Sequence, residues 1–294
     1  MTTFIFGEAM LEYHSHGGTG LGYGGDTLNT AVHLARAGHD VAYVTAVGTD
    51  PISDALVAAW SKEGIDTRYV LRHPERNPGI YAIHLDDHGE RSFLYWRDHS
   101  AAREMFSLPG IAEAMAAAEQ ATLVYYSLIT LAIIDDNGRG KLLRLSERRR
   151  NSGKAVAYDS NFRPALWPDL SEARHASRLA MSHCSIGLPT NNDECELWSH
   201  SEDEFKIASG WVETGCDIVA VKAAEKGCVL ADRQSEIQRL FPAIPTEVID
   251  SSGAGDAFNG GFLGAWLLNE PVESCVEAGQ AKARETLAHR GAII

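Results

Sequence analysis

Short apolar runs alternate with helix-period segments along most of this 294-residue chain, and that rhythm limits the fold more than any other feature. "VAYVTAVG" (41–48), "TLVYYS" (122–127), "AVAYDSN" (155–161), "SIGLPT" (185–190) and "IVAVK" (218–222) read as strands buried on both faces. Between them lie helical periods at 51–64, 109–121, 171–183 and 201–215, with Asp50 ahead of a first-turn Pro51 and with Ser201 and Glu204 spaced as a capping box. Two-sided apolar strands separated by helices predict an α/β fold, a mostly parallel sheet covered by helices on both faces. One segment departs from the rhythm. "PGIYAIHLDDHGERSFLYW" (78–96) alternates apolar and polar residues on both sides of a turn at Asp87, His88 and Gly89, which is a hairpin signature. An isolated hairpin is marginal in water, so it is expected to join other strands as a small sheet over the mouth of the main domain.

The formal net charge of −14 argues against a general nucleic-acid or anionic-membrane surface, because both need dense Lys and Arg. An anionic ligand must then be met by a local cationic pocket. The one basic cluster, Arg148 to Arg150, is expected to be a solvated helix C-terminus. Five scattered cysteines without C-x-x-C spacing read as reduced thiols of a cytoplasmic protein, not as a disulfide frame or zinc site. No signal peptide or membrane-length apolar stretch is seen.

Two glycine-rich loops carry the candidate chemistry. In "GLGYGGDTLN", Gly20, Gly22 and Gly25 match G-x-G-x-x-G, and "DTLNTAVHLARAG" supplies the following helix, with Asp26 as a possible N-cap and Gly38 as its stop. The polar stretch "HSHGGTG" separates these glycines from the preceding apolar run, so the strand that a dinucleotide site needs is missing. A surface loop is the plain alternative. In "VIDSSGAGDAFNGGFLGAWLL", by contrast, a strand end, Gly253-Ala254-Gly255 and a helix are contiguous. Small residues there let successive N–H groups converge on an anion at the positive end of the helix dipole. Asp256, the first acidic side chain beyond them, would be either a base for a hydroxyl attacking phosphorus or a solvated cap.

D-x-x-G-A-G-D-x-F at 250–258 resembles the C-terminal signature of the ribokinase-like (PfkB) sugar kinases, and "GGDTLNTAVHLARAG" resembles their N-terminal one. The two lie in the right order far apart, and "GEAMLEY", "VGTDPISDAL", "DSNFRPALW", "NNDE" and "HRGAII" extend the likeness through nearly the whole chain. The resemblance implies one ribokinase-like domain over 1–294, with a lid formed by approximately 10–24 and 78–100. It makes Asp256 the general base, and the N–H groups of Ala254, Gly255 and Asp256, with Gly253 permitting the turn, the anion hole for the γ-phosphate. Asn191 and Glu194 of "NNDE" would hold Mg2+ through its waters. Lys222 and Gly227, together with Asn191 and the Gly253 and Gly255 loop, would meet ATP. Ala224 and Ser251 stand where the family usually has Gly and Thr.

Within the family, "GGDTLNTAVHLAR", "PGIY", "ERSFLYWR" and "HRGAII" are similar to segments of the kinases of 2-keto-3-deoxygluconate. That likeness places the glycines of 22 to 25, Gly24 and Gly25 among them, at the sugar, with Asp26 and Asn29 on its hydroxyls and Tyr81 and Tyr95 closing over it. Arg97 and Arg163 would pair with the substrate carboxylate, which needs a directional cation once desolvated. The competing expectations are a kinase of the same fold acting on fructose or another hexose or sugar acid, a non-catalytic sugar- or nucleotide-binding module, and a Rossmann oxidoreductase. A homo-oligomer is expected.

Overall fold

Strand β1 (Thr2–Phe6) carries Phe4 and Phe6 on one face and Ile5 on the other, all buried, as a central strand of a covered sheet requires. The computed structural model describes residues 2–14, 22–85, 91–199, 201 and 203–293. Around β1 the main sheet adds β4 (Asp40–Val47), β5 (Ile65–Asp66), β6 (Val70–Arg72), β9 (Leu123–Ser127), β10 (Ala155–Asp159), β11 (Ile186–Gly187), β12 (Ile218–Lys222), β13 (Cys228–Asp232) and β14 (Ile237–Phe241). Its spatial order is β14-β13-β12-β11-β10-β9-β1-β4-β5, with β6 also on β4. Pairing is parallel from β12 to β5, and β13 and β14 are antiparallel additions at one edge.

The intervening β2 (Met10–His14), β3 (Gly22–Gly24), β7 (Gly79–Leu85) and β8 (Arg91–Trp96) form a separate four-stranded sheet, ordered β3-β2-β7-β8. The hairpin of the sequence is therefore present as β7 and β8, paired antiparallel from Ile80↔Trp96 to Leu85↔Arg91, and it joins β2 in parallel. Its turn, like Gly20, lies outside the described residues. Phe93, Leu94, Tyr95 and Trp96 on the edge strand β8 are exposed.

One face of the main sheet packs on α1 (Asp26–Arg36), α2 (Pro51–Lys62), α9 (Ala254–Leu267) and α10 (Val272–Leu287), where Leu28, Trp60, Phe262 and Val276 meet Ile5, Tyr43 and Tyr125. The other face packs on α3 (Ile111–Gln120), α4 (Leu128–Ile133), α5 (Asp136–Asn151), α6 (Leu170–His183) and α8 (Glu204–Thr214), against Phe4, Phe6, Tyr126 and Tyr158. Asp50 caps α2 as expected, accepting from the N–H groups of Ile52 and Ser53. Two expected caps are displaced. Asp203, not Ser201, caps α8 by accepting from Lys206 N–H at 2.9 Å, and Gly25 is the N-cap of α1, leaving Asp26 inside its first turn.

The basic cluster is not uniformly solvated. Arg149 is fully buried and donates to the carbonyls of Ala118, Glu119, Ala121, Thr122 and Ala155, and burial lowers its pKa to about 10. It satisfies carbonyls at the end of α3, in the loop that follows and at the start of β10, which would otherwise be orphaned acceptors. Arg148 pairs with Glu119 and Arg150 with Asp217.

Ala224, where the sequence departs from the family pattern, holds a φ of 45° in the turn between β12 and β13. A β-carbon in that left-handed region costs about 1 kcal/mol. Ala224→Gly is accordingly expected to stabilise the fold by about 1 kcal/mol, a rise in Tm of about 2 °C for a domain of this size. An unchanged or lower Tm in a thermal melt would show that the strain is relieved elsewhere.

Candidate active site

The carboxyl ends of β10 and β12 open into a cleft of about 790 Å³. Open parallel sheets place ligands at this edge, where helix N-termini face the crevice. The cleft is floored by the first turns of α1 and α9 and by the loop after β10, and the small sheet roofs it with Glu12, Tyr81 and Tyr95. A second hollow of about 630 Å³ lies at the opposite ends of the strands, where Arg150 is paired with Asp217 and Lys154 bonds Glu119 and Gln120.

Gly253 is the N-cap of α9 with a φ of 70°, and a β-carbon there would overlap Ala292. The chain can thus turn directly into the helix. Gly255 and Asp256 then present first-turn N–H groups that have no carbonyl one turn earlier. Ala254 differs from the expectation, because its N–H points back to Ser251 O at 3.4 Å and Ala254 does not line the cleft. Asp250 braces this loop, accepting from Ser252 N–H at 2.8 Å and Gly291 N–H at 2.7 Å.

Asp256 lines the cleft and accepts from Asn29 Nδ2 at 2.8 Å. Asn29 lines the same space, and its Oδ1 is buried without a partner. Burial first, then the charges of Asp26 and Asp159, push the Asp256 carboxyl well above the usual range, against the opposing Asn29 bond and Lys222 charge. Asp26 is raised chiefly by burial as well. Lys222 lies beneath the α9 turn, 3.8 Å from where a β-carbon on Gly255 would sit. Its Nζ donates to Asp159 Oδ2 at 3.1 Å and Asn259 Oδ1 at 3.0 Å, and Asn259 Nδ2 donates to Asp159 Oδ2 at 2.7 Å. A buried ammonium survives at such a position because the Asp159 carboxylate and the Asn259 amide oxygen compensate it.

Both arginines line the cleft, and both already have carboxylate partners. Arg97 is 7% exposed and donates from Nε to Glu8 Oε2 at 2.8 Å and from Nη2 to the same oxygen. Arg163 is half exposed and pairs with Asp193 at 3.2 Å. Tyr81 lines the cleft with its hydroxyl on Glu12, and its ring lies 6.0 Å from Tyr95.

Four further expected site residues stand outside the lining of the cleft. The Tyr81 hydroxyl fills the space that a β-carbon on Gly24 would take; of the glycines at 22 to 25, Gly25 lines the cleft. Gly227 sits in the β12–β13 turn against Phe241 and Pro242, away from the cleft lining. At the start of α7 (Asn191–Trp198), the cleft is lined by Asn192 and Asp193, not by Asn191. Glu194 is buried below the cleft, where Oε2 accepts from the indoles of Trp198 at 3.0 Å and Trp211 at 2.9 Å.

Sequence reasoning passed over Asp159, Asn259, Glu8, Glu12 and Asp193. Asp159 had a usable signal: it ends the apolar strand "AVAYD", and a carboxylate at the carboxyl end of a buried parallel strand faces the crevice. The others are placed by contacts between segments distant in the chain.

Residues 11–294 match the model of the pfkB family carbohydrate kinases. A 2-dehydro-3-deoxygluconokinase of Haemophilus influenzae is 37% identical over 299 residues, covering 99% of this chain and 94% of its own length. The crystal structure of a Thermotoga maritima 2-dehydro-3-deoxygluconokinase has a TM-score of 0.86 at 21% identity, covering 100% of this chain and 94% of that one. A putative ribokinase II from E. coli, solved in complex with ATP and Mg2+, has a TM-score of 0.84 at 20% identity and covers 99% and 94%. Those two likenesses establish the ribokinase-like fold. With the family model spanning nearly the whole sequence and a relative more than one-third identical along it, this chain belongs to the pfkB family of carbohydrate kinases.

Proposed function

We propose that the chain transfers the γ-phosphate of ATP to the 6-hydroxyl of 2-keto-3-deoxygluconate, giving 2-keto-3-deoxy-6-phosphogluconate and ADP. The observation that carries this is one cleft joining Asp256, beside the open first turn of α9, to Arg97 and Arg163. Full-length relatives named for the same activity support it.

Phosphoryl transfer asks mainly for positioning and charge stabilisation. Asp256, steadied by Asn29, takes the proton of the 6-hydroxyl while that oxygen bonds to the γ-phosphorus and the bond to the ADP oxygen breaks. The N–H groups of Gly255 and Asp256 meet the oxygens of the transferred group, and Lys222 adds a fixed positive charge below them. Asp26 and Asn29, both on the cleft, meet the sugar hydroxyls. The small sheet acts as a lid that excludes water, which would otherwise compete with the sugar hydroxyl.

Among the described residues no three acidic, His or Cys side chains form a cage for a metal ion. That suits Mg2+, which keeps several waters and binds largely through phosphate oxygens. Asp193 is the α7 carboxylate at the cleft and would hold Mg2+ there through its waters. When bound, Mg2+ offsets phosphate charge during transfer.

A second reading, a kinase of a neutral hexose, draws on one observation: the arginines already have carboxylate partners. A coupled ADP-release assay across sugar acids and neutral sugars separates the two. The acid is expected to exceed fructose by roughly 10² or more in kcat/KM, in keeping with a site built around a polar group of its substrate. Equal or better turnover of fructose would overturn the sugar-acid assignment.

A further inference from the structure

Four chain segments cross between the main sheet and the small sheet, and all four meet at Glu8. Glu8 itself lies between β1 and β2. Its backbone carbonyl occupies the space a β-carbon on Gly25 would need, at the passage from β3 to α1. Its Oε1 lies 3.1 Å from where a β-carbon on Gly79, the first residue of β7, would sit. Its Oε2 takes both the Nε and Nη2 donors of Arg97, which follows β8 directly. Glu8 is 1% exposed and does not line the cleft, whereas Arg97 does. The carboxylate therefore stands behind the guanidinium, on the side away from the substrate.

We propose that Glu8 is the positioning residue of the site: it holds one edge of the Arg97 guanidinium at the body–lid junction, so that the remaining donors face the substrate carboxylate at a fixed angle. This rests on the reading of Arg97 as a substrate contact. The chemistry explains why an anion-recognising site tolerates an acid so close to its arginine. Left alone, a long guanidinium would sample many rotamers, and binding would have to select one. Glu8 makes that selection in advance. It also cancels the charge of Arg97, so discrimination comes from directed N–H bonds more than from net charge. The unpartnered Oε1 is consistent with a side chain held for its other oxygen.

The test compares Glu8→Asp, which keeps the charge but withdraws it by one methylene, with Glu8→Gln, which keeps the reach but drops the charge. For each, kcat and KM are measured on the sugar acid and on its neutral amide or alcohol, together with the Tm shift that the acid produces without ATP. Glu8→Asp is expected to raise KM for the acid about tenfold or more, the scale of a displacement near 1 Å, with kcat within about twofold and little change on the neutral analogue. It should also shrink the ligand-induced Tm shift. Glu8→Gln, with an acceptor at the original reach, should raise the acid KM less than Glu8→Asp does. In an Arg97→Lys background, Glu8→Asp should add almost nothing. A larger loss in Glu8→Gln than in Glu8→Asp, or equal losses on acid and neutral analogue, would overturn the proposal. If Arg97→Lys alone leaves the acid-to-neutral ratio unchanged, the reading of Arg97 fails first. If Arg97→Lys reduces that ratio and Glu8→Asp does not, Arg97 stands and Glu8 falls. Should Glu8→Asp not fold, Glu8→Gln in the wild-type and Arg97→Lys backgrounds decides: additive losses reject positioning.

Discussion

Replacing Asp256 by asparagine is expected to lower kcat by roughly 10² to 10⁴-fold, the range for loss of a general base, and at neutral pH to raise thermal stability. The two effects share one cause. Asp256 is buried beside Asp26 and Asp159, and its carboxyl is held well above the usual range. For an acid whose native pKa exceeds its unfolded value of about 3.9, the stabilising share belongs to the protonated form. That share is complete at low pH and is lost as pH rises through the native pKa. Above the unfolded value the fold therefore carries a growing penalty for this carboxyl, and asparagine, a neutral isostere, removes it. The gain should be small at pH 5 and larger at pH 8. Steady-state ADP release and thermal melts at both pH values check this. Near-normal turnover would remove Asp256 as the base, and a lower Tm at pH 8 would mean that the Asn29 bond outweighs the repulsion.

The second large effect is expected at Arg97. Arg97→Ala should cost about 2 to 5 kcal/mol in kcat/KM on the sugar acid, mostly through KM, because the carboxylate is remote from the reacting hydroxyl and its charge does not change during transfer. A neutral analogue should be a poor substrate of the wild type and lose little more in the variant. Stability should fall as well, by about 3 to 5 kcal/mol, since Glu8 would be left buried and unpaired. Arg163→Ala offers the contrast. Its guanidinium is half exposed, so its pairing with Asp193 is screened by solvent, and the variant should lose acid affinity with little loss of Tm. Equal losses on acid and neutral substrate would make Arg97 structural.

Much of the architecture could be read from local pattern. The two-faced apolar runs at β4, β9, β10 and β12 and the cap at Asp50 depend on neighbours within a few residues, and all occur where the periodicities place them. The strand at 185–190 is shorter than its pattern, closing as β11 at Gly187 with a single further bridge from Thr190 to Lys222. Which polar side chain faces the cleft was harder to see. Glu194 has the spacing of a metal residue, but its orientation is set by indoles from α7 and α8, one of them 17 residues away in the chain. Arg97 ends a strand, as a surface residue would, and is buried by a glutamate 89 residues earlier. Gly24 signals close approach correctly, but the approaching group is Tyr81. In each case the missing information is the identity of a partner brought in by the tertiary fold.

The bond between Asn29 and Asp256 spans 227 residues and joins α1 to α9. During synthesis the amide is made long before the carboxylate it orients. On the proposed reading, catalytic competence arrives when α1 meets α9, a contact of high sequence separation and therefore among the slower ones to form. The appearance of turnover after dilution from denaturant would report the completion of folding in a way that helix content, set by local contacts, would not.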